Sequence, residues 1–497
     1  MTVTPRRDDP PSPPTISRGA APSTSGGLSR GAYPRADVIV VGGGVIGTAI
    51  AWRAALTGSA VILIDPGGDD PGSGDPRTEN KASLVAAGML GPVSESVFGE
   101  ENLLNLNLHA VDRFPGFNRE LEEASGMSTG LRTEGTLAVA YDSGDLAALD
   151  RLTDFRHSIG LKAERLNARE CRRREPFLAP STRGGVLATG DLSVDNRRYL
   201  AALRTASLSA GVRTIKGTVT KVVDGQVRVT APGGSEMPET TLAAAHIVIA
   251  AGHATRTLDG VPDEVAAAIR PVKGQILRLR HPAGIPHILS HTVRAIVQGH
   301  DLYLVPRQDG ELVVGATQEE REDRDVTVGA VHDLLRDAAT AVPAVSELIF
   351  AEASAGLRPG TSDNGPIVGP IRGTGRLADG DGTLIIAAGH FRNGILLSAV
   401  TADAVSAILG GQEPHIAWAP FHPGRFQKFR HLPSRPGASL GARPGSDRSP
   451  GWSGVPPEIP AGSGVSPGSP AGSGVSPGSP AGSGVSPGST VSFQETT

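Results

Sequence analysis

Two rhythms of apolar positions run through the chain. Unbroken apolar runs rich in β-branched side chains occur at residues 37–41 (DVIVV), 60–64 (AVILI), 246–252 (HIVIAAG) and 384–388 (LIIAA). Runs of this kind predict strands covered on both faces, as in a parallel sheet. Residues 271–279, 301–307 and 311–316 instead alternate, which predicts antiparallel strands, and shorter strands are expected at 135–141, 212–223 and 226–229. Helical spacing predicts helices over 48–57, 102–124 (interrupted at Pro115), 145–158, 197–210, one or two within 321–341, and 394–409. The buried-type strands are scattered, with antiparallel segments between them. That order predicts an α/β protein of two interleaved domains, each assembled from separated stretches of chain.

One unit is spelled out fully. After the strand at 37–41, Gly42, Gly44 and Gly47 stand in G-x-G-x-x-G spacing, a helix follows until Gly58, and the next strand ends in Asp65. The first glycine permits the tight turn, the second lets backbone amides approach a pyrophosphate, and the third lets helix and strand pack closely. The helix N-terminus offers amides and positive partial charge to phosphates, and Asp65 can accept hydrogen bonds from ribose hydroxyls. The unit predicts a dinucleotide site and leaves FAD and NAD both open.

Composition narrows the classes. With 47 basic and 51 acidic residues the net charge is −4, which gives no electrostatic footprint for nucleic acid or an anionic membrane. A single cysteine, Cys171, excludes an internal disulfide framework and fits a reducing cytoplasm. The N-terminal stretch lacks the apolar core of a secretory signal, and no uncharged apolar run is expected to span a bilayer. Residues 1–35 are rich in Pro, Ser, Gly and Arg without periodicity. From Pro460 the unit PAGSGVSPGS runs three times, to Ser489. Both ends, 1–35 and 424–497, are expected to be disordered.

Several later motifs occur in a specific order: SLVAAGMLGP at 83–92, PVKGQILRL at 271–279, YLVPR at 303–307, LVVGAT at 312–317, AGLRPGT at 355–361 and AAGHFRNGILL at 387–397. Together they resemble the FAD-dependent glycine oxidases of thiamine biosynthesis, within the D-amino-acid oxidase and sarcosine oxidase group. The resemblance covers about 37–412. It implies a Rossmann-like FAD-binding domain, from 36–130, 190–257 and 355–412, interleaved with an antiparallel-sheet substrate domain of α+β type, from 131–189 and 258–354.

On the residues alone, 387–397 reads as a buried strand, a polar turn and a helix whose N-terminal amides could face a reduced flavin's negative edge. The resemblance makes His390, Phe391, Arg392, Asn393, Gly394, Ile395 and Leu396 FAD contacts. It adds Ala82, Ser83, Ala87, Gly88 and Met89 beside the flavin, Val45, Ile46, Asp65 and Pro66 at the adenosine and pyrophosphate, and Val219 at the adenine. It makes Arg358 the substrate carboxylate clamp, since a planar guanidinium can make two parallel hydrogen bonds. Tyr303 and Arg392 are implied as its helpers. Asp301, two residues before Tyr303, departs from the expected neutral or basic group. Cys171 is remote from the flavin motifs, so FAD is expected to be noncovalent.

The implied reaction is oxidation of glycine by hydride transfer from Cα to the flavin, giving iminoacetate, then glyoxylate and ammonia or a feed into thiazole formation. Dioxygen is reduced to hydrogen peroxide. No side-chain base is required, so no residue is assigned as catalytic. Sarcosine or a small D-amino acid remains open as substrate, as does a dehydrogenase using another electron acceptor. Relatives imply a homo-oligomer, a homotetramer.

Overall fold

The computed structural model describes residues 36–67, 81–231, 239–371 and 383–430. The expectations for 1–35 and for the repeats lie outside the described residues. Two sheets carry the architecture. The first contains five parallel strands in the order Thr383–Ala388, Thr240–Ile249, Ala36–Val41, Val61–Asp65 and Arg213–Lys216, with Ile367–Pro370 antiparallel at one edge. Its central strand is covered on both faces, with Ile39 and Val40 fully buried, as an unbroken DVIVV run requires. Helices Val45–Leu56, Glu101–Ser125, Asn196–Ser209 and Gly394–Leu409 pack on one face around Ile50, Trp52, Phe114 and Leu397.

The second sheet runs in the order Ile349–Thr361, Ile269–Arg280, Glu311–Gly315, His300–Pro306, Thr292–Val297, Thr136–Ala140, Gly184–Ala188 and Glu164–Asn167. It is antiparallel except where Thr292–Val297 pairs with Thr136–Ala140. Alternation sorts its side chains into two faces. Leu277, Val314, Leu304, Val293 and Leu137 form one core with Leu334 and Ala338 of the Val328–Ala341 helix. The opposite face carries Ile276, Val305 and Val313 against Val85 and Ala87. That second face looks toward the first sheet.

Several expectations shift. The helix at 101–125 runs straight through Pro115. A proline there removes one hydrogen bond, but Phe114 and Phe117 are fully buried beside it, and their packing outweighs the loss. The domain boundary at 355 cuts the Ile349–Thr361 strand, which pairs with Ile269–Arg280 along its length, so this section of the substrate sheet continues to Thr361. The ordered chain also continues past 424. Arg425 donates from Nε to Asp363 at 2.8 Å and from Nη1 to the Phe421 carbonyl at 2.9 Å, within a short 3-10 segment, Pro423–Arg430. One stretch, Phe391–Leu409, is long and apolar enough to cross a membrane by composition. Its apolar residues, Leu396, Leu397 and Val400 among them, are buried in the core of this fold.

Candidate active site

A cavity of about 1140 Å³ runs between the sheets. That exceeds the roughly 300–1,000 Å³ of ordinary small-molecule sites and suits a long ligand. At one end stand the glycine turn (Gly42, Gly44, Val45, Ile46), Asp65, Pro66 and Val219. Gly47 does not line it. A Cβ there would lie 1.8 Å from the Gly42 carbonyl, so this glycine serves helix-to-strand packing, the role its spacing predicted.

Asp65 does more than cap a strand. Its Oδ2 accepts from the Gly43 amide at 2.7 Å, and Oδ1 accepts from Gly67 at 2.8 Å and pairs with Lys81 Nζ at 2.8 Å. The buried carboxylate thus pins the glycine turn while its edge faces the cavity. Ser83 Oγ accepts from the Val45 amide at 3.0 Å, tying the second loop to the first helix turn.

The middle of the cavity is walled by Ala82, Ser83, Ala87, Gly88 and Met89 and by His390, Phe391, Arg392, Gly394 and Ile395. Asn393 and Leu396 are buried behind this wall rather than lining it. His390 donates or accepts at 3.0 Å with Thr401 Oγ1, and burial pushes its imidazole down to about 3, so it is neutral. Arg392 pairs with Glu100 at 3.3 Å and lies over the Phe391 ring. Part of its charge is therefore already met at the cavity wall.

The segment 82–89, which opens with the short helix Ala82–Val85, is held from behind by buried arginines that sequence reasoning missed. Arg307, the last residue of YLVPR, donates to the carbonyls of Val194 at 2.8 Å and Ala87 at 2.6 Å. Burial pushes its guanidinium down to about 10. Arg278 reaches Asn196 Oδ1 at 3.1 Å and pairs with Glu311.

At the far end, strand register assembles one row of side chains on the inner face. Gly356 pairs with Gly274, Ile276 and Tyr303 with Gly315, and Arg294 with Tyr303. Arg358, two residues on from Gly356, projects into the same row. Its Nη1 donates to the Thr317 carbonyl at 3.2 Å. A Cβ on Gly274 would meet this guanidinium at 2.2 Å, and one on Gly315 would meet the Tyr303 hydroxyl at 2.5 Å. The two glycines are therefore the floor on which Arg358 and Tyr303 rest. Tyr303 is half-buried; the desolvation of its hydroxyl raises its pKa, while the adjacent Arg358 lowers it in part. It stays a neutral donor. Asp301 lines the cavity but is exposed at its edge.

Arg294, Glu95 and Arg156 also line this end, and none was singled out from sequence. Only Arg294 carried a readable signal, as a lone charge inside the apolar strand HTVRAIV. Cys171 sits in the core on the opposite face of the sheet, with its thiol pushed up to about 11 by burial. It has no part in the cavity.

The residues fit FAD. A glycine turn and helix N-terminus stand where a pyrophosphate belongs, with a carboxylate at the ribose end. The apolar stretch of wall made by Val85, Ile276 and Met89 suits a flat ring, and a cationic clamp lies beyond it. Comparison with known proteins agrees. The family described as DAO, FAD dependent oxidoreductase, matches residues 37–408. Glycine oxidase of Geobacillus kaustophilus (strain HTA426) is 34% identical over 397 residues, covering 78% of this chain and 96% of that protein. The bifunctional protein ThiO/ThiG of Trichormus variabilis is 30% identical over 394 residues, 79% of this chain and 55% of the other, so the chain spans about half the length of these bifunctional relatives. The crystal structure of glycine oxidase from Geobacillus kaustophilus superposes with a TM-score of 0.67 at 31% identity, covering 78% of this chain and 98% of that one. The chain belongs to the DAO family of FAD-dependent oxidoreductases.

Proposed function

We infer that this enzyme oxidises glycine, with dioxygen as electron acceptor, and supplies the product to the thiazole branch of thiamine biosynthesis. The observation that carries the reading is the Arg358–Tyr303 pair, set side by side on glycines at the end of an FAD cavity. Arg358 fixes the substrate carboxylate through two parallel charge-assisted hydrogen bonds. The neutral Tyr303 hydroxyl adds a third. Holding the carboxylate in this way points Cα along the cavity, so that orientation supplies much of the rate. Arg392 is a further contact, shared with Glu100. FAD, when bound, accepts the hydride that leaves Cα. The balance is glycine, dioxygen and water going to glyoxylate, ammonia and hydrogen peroxide.

The test is peroxide release by purified protein with glycine, sarcosine, D-alanine and D-proline. Glycine is expected to be turned over. Glycine rates far below all three others would overturn the assignment, and slow reoxidation in air after anaerobic reduction by glycine would make it a dehydrogenase. We also place the enzyme in the cytoplasm as a homo-oligomer, a homotetramer by analogy. Its sheet-edge residues Ile349 and Phe350, both about half exposed, are apolar surface that association would cover. Light scattering after gel filtration tests the assembly.

A further inference from the structure

The loop between strand Glu311–Gly315 and helix Val328–Ala341 carries the charged run QEEREDRD at 318–325. It lines the cavity through Thr317, Gln318 and Arg324. Most of its charges are engaged by fixed partners. Glu319 accepts from Gln275 Nε2 at 2.7 Å, Glu320 pairs with Arg270, and Glu322 pairs with Arg256. Asp323 pairs with the fully buried Lys273 and with Arg321. These anchors tie the loop to the second sheet and to the 3-10 segment Gly252–Thr257.

Arg324 is different. It is half-buried, its Nε is enclosed without a hydrogen-bond partner, and among the described residues no carboxylate pairs with it. Its Nη2 donates to His253 Nε2 at 3.4 Å. A guanidinium only donates, so that ring nitrogen accepts and the neutral imidazole carries its proton on Nδ1. Burial first, then the charge of Arg324, holds His253 below its usual pKa, and burial lowers that of Arg324.

His253 fixes the place of this guanidinium along the cavity. Ala250 and Ala251 lie against the first glycine of the turn: a Cβ on Gly42 would sit 2.5 Å from the Ala250 oxygen and 2.9 Å from Ala251 Cα. Gly252 and His253 follow directly and line the cavity with Gly44 and Val45. A pyrophosphate diester arriving at that turn is doubly negative, whereas the N-terminus of helix Val45–Leu56 offers about half a positive charge. Two amides of the turn are already engaged, Gly43 by Asp65 at 2.7 Å and Val45 by Ser83 at 3.0 Å. Lys81, another cation at this end, pairs with Asp65. A desolvated cation and a desolvated anion each carry a cost that pairing the two offsets.

We propose that Arg324 binds the pyrophosphate of FAD from the substrate-domain side, supplying positive charge that the glycine turn lacks. The cofactor is then held by both domains. Thr317, whose carbonyl accepts from Arg358 at 3.2 Å, starts the same loop, so cofactor and clamp share one support. The proposal rests on the FAD reading of the cavity and not on which amine is oxidised.

The experiment uses the full chain stripped of FAD, with FAD binding read by flavin fluorescence and ADP and adenosine binding by calorimetry. Arg324→Met is expected to weaken FAD at least about fivefold, with Arg324→Lys between it and wild type. ADP, which carries the two phosphates, should weaken by a similar factor, while adenosine, which lacks them, should stay within about twofold. A merely structural role would move ADP and adenosine together. That outcome overturns the proposal, as does a loss of FAD affinity smaller than about fivefold. A wild-type measurement covers the case in which the Met variant does not fold: arginine modification by phenylglyoxal, mapped by peptide mass. At equal occupancy, ADP is expected to slow modification of Arg324 and adenosine to leave it nearly unchanged. Equal protection by the two, or an Arg324 that the reagent does not reach in the stripped chain, overturns the proposal. Failure of the wild-type chain to bind FAD or ADP would instead overturn the reading of the cavity.

Discussion

Replacing Gly274 by alanine tests the clamp without touching a charged group. Gly274 lies in a regular strand, so alanine adopts its backbone without strain. The added Cβ would sit 2.2 Å from Arg358 Nη1 and 2.4 Å from Cζ and Nη2. Ordinary contact begins at 3.4 Å, so the guanidinium must withdraw by about 1 Å. A displacement of that size from a positioned group costs on the order of 10²-fold in rate, or about 2.7 kcal/mol. We expect kcat/KM for glycine to fall roughly 10²-fold. KM should rise and kcat should fall, because both binding and aim depend on the same guanidinium. The assay is steady-state peroxide release, with anaerobic stopped-flow reduction of the flavin to isolate the chemical step. Titration with acetate, followed through the flavin spectrum, reads carboxylate binding alone and should weaken in parallel. If the variant folds, binds FAD and keeps kcat/KM for glycine within twofold of wild type, Arg358 does not clamp the substrate.

Other outcomes follow from the supporting residues. Arg307→Met removes two charge-assisted bonds to the Val194 and Ala87 carbonyls, each worth about 1.5–3 kcal/mol, and should weaken FAD binding by at least about tenfold in a fluorescence titration. Asp191 is buried beneath the 93–94 turn, where it accepts from the Val93 and Ser94 amides, and burial raises its carboxyl to about 6. The folded state then holds that proton more tightly than the unfolded chain, so this group's share of stability falls as pH rises from about 4 to 6, by at most about 3 kcal/mol. Asp191→Asn should remove that slope from denaturant midpoints measured across the window. His390 acts with the opposite sign: its folded value near 3 means that its share is complete above about pH 6.5 and is lost as pH falls toward 3. His390→Gln should flatten the acid limb of a thermal-melting series.

What could be read from sequence was local. The glycine spacing, the β-branched runs and the terminal Asp65 each encode their own conformation, and the first sheet follows from them. Thr240–Ile249 was expected to start only at 246, because the preceding TTLAAA has no run of its own and is held as a strand by pairing with Gln226–Thr230. Ile349–Thr361 likewise contains Ala, Ser and Gly where a strand signal needs larger side chains, and only its long partner Ile269–Arg280 makes it a strand. Arg156 belongs to the same class. In LTDFRHS it looks like any solvated helix charge, and nothing nearby in sequence says that the sheet will bury it. The clamp and flavin segments were found only because their motifs recur in a family, since an arginine before a proline carries no unique local signature.

The buried arginines behind residues 82–89 explain how such a loop can serve a cofactor at all. Across a trans peptide the carbonyl of one residue and the amide of the next point in opposite directions. Arg307 holds the Ala87 carbonyl from the side away from the cavity, so the Gly88 amide is turned toward it. A Cβ on Gly88 would lie 2.0 Å from the Val194 carbonyl, and Arg307 also grips that carbonyl, so loop and support close on the same point. The desolvation of Arg307 is the cost of this arrangement, and donating to fixed carbonyls is what offsets it.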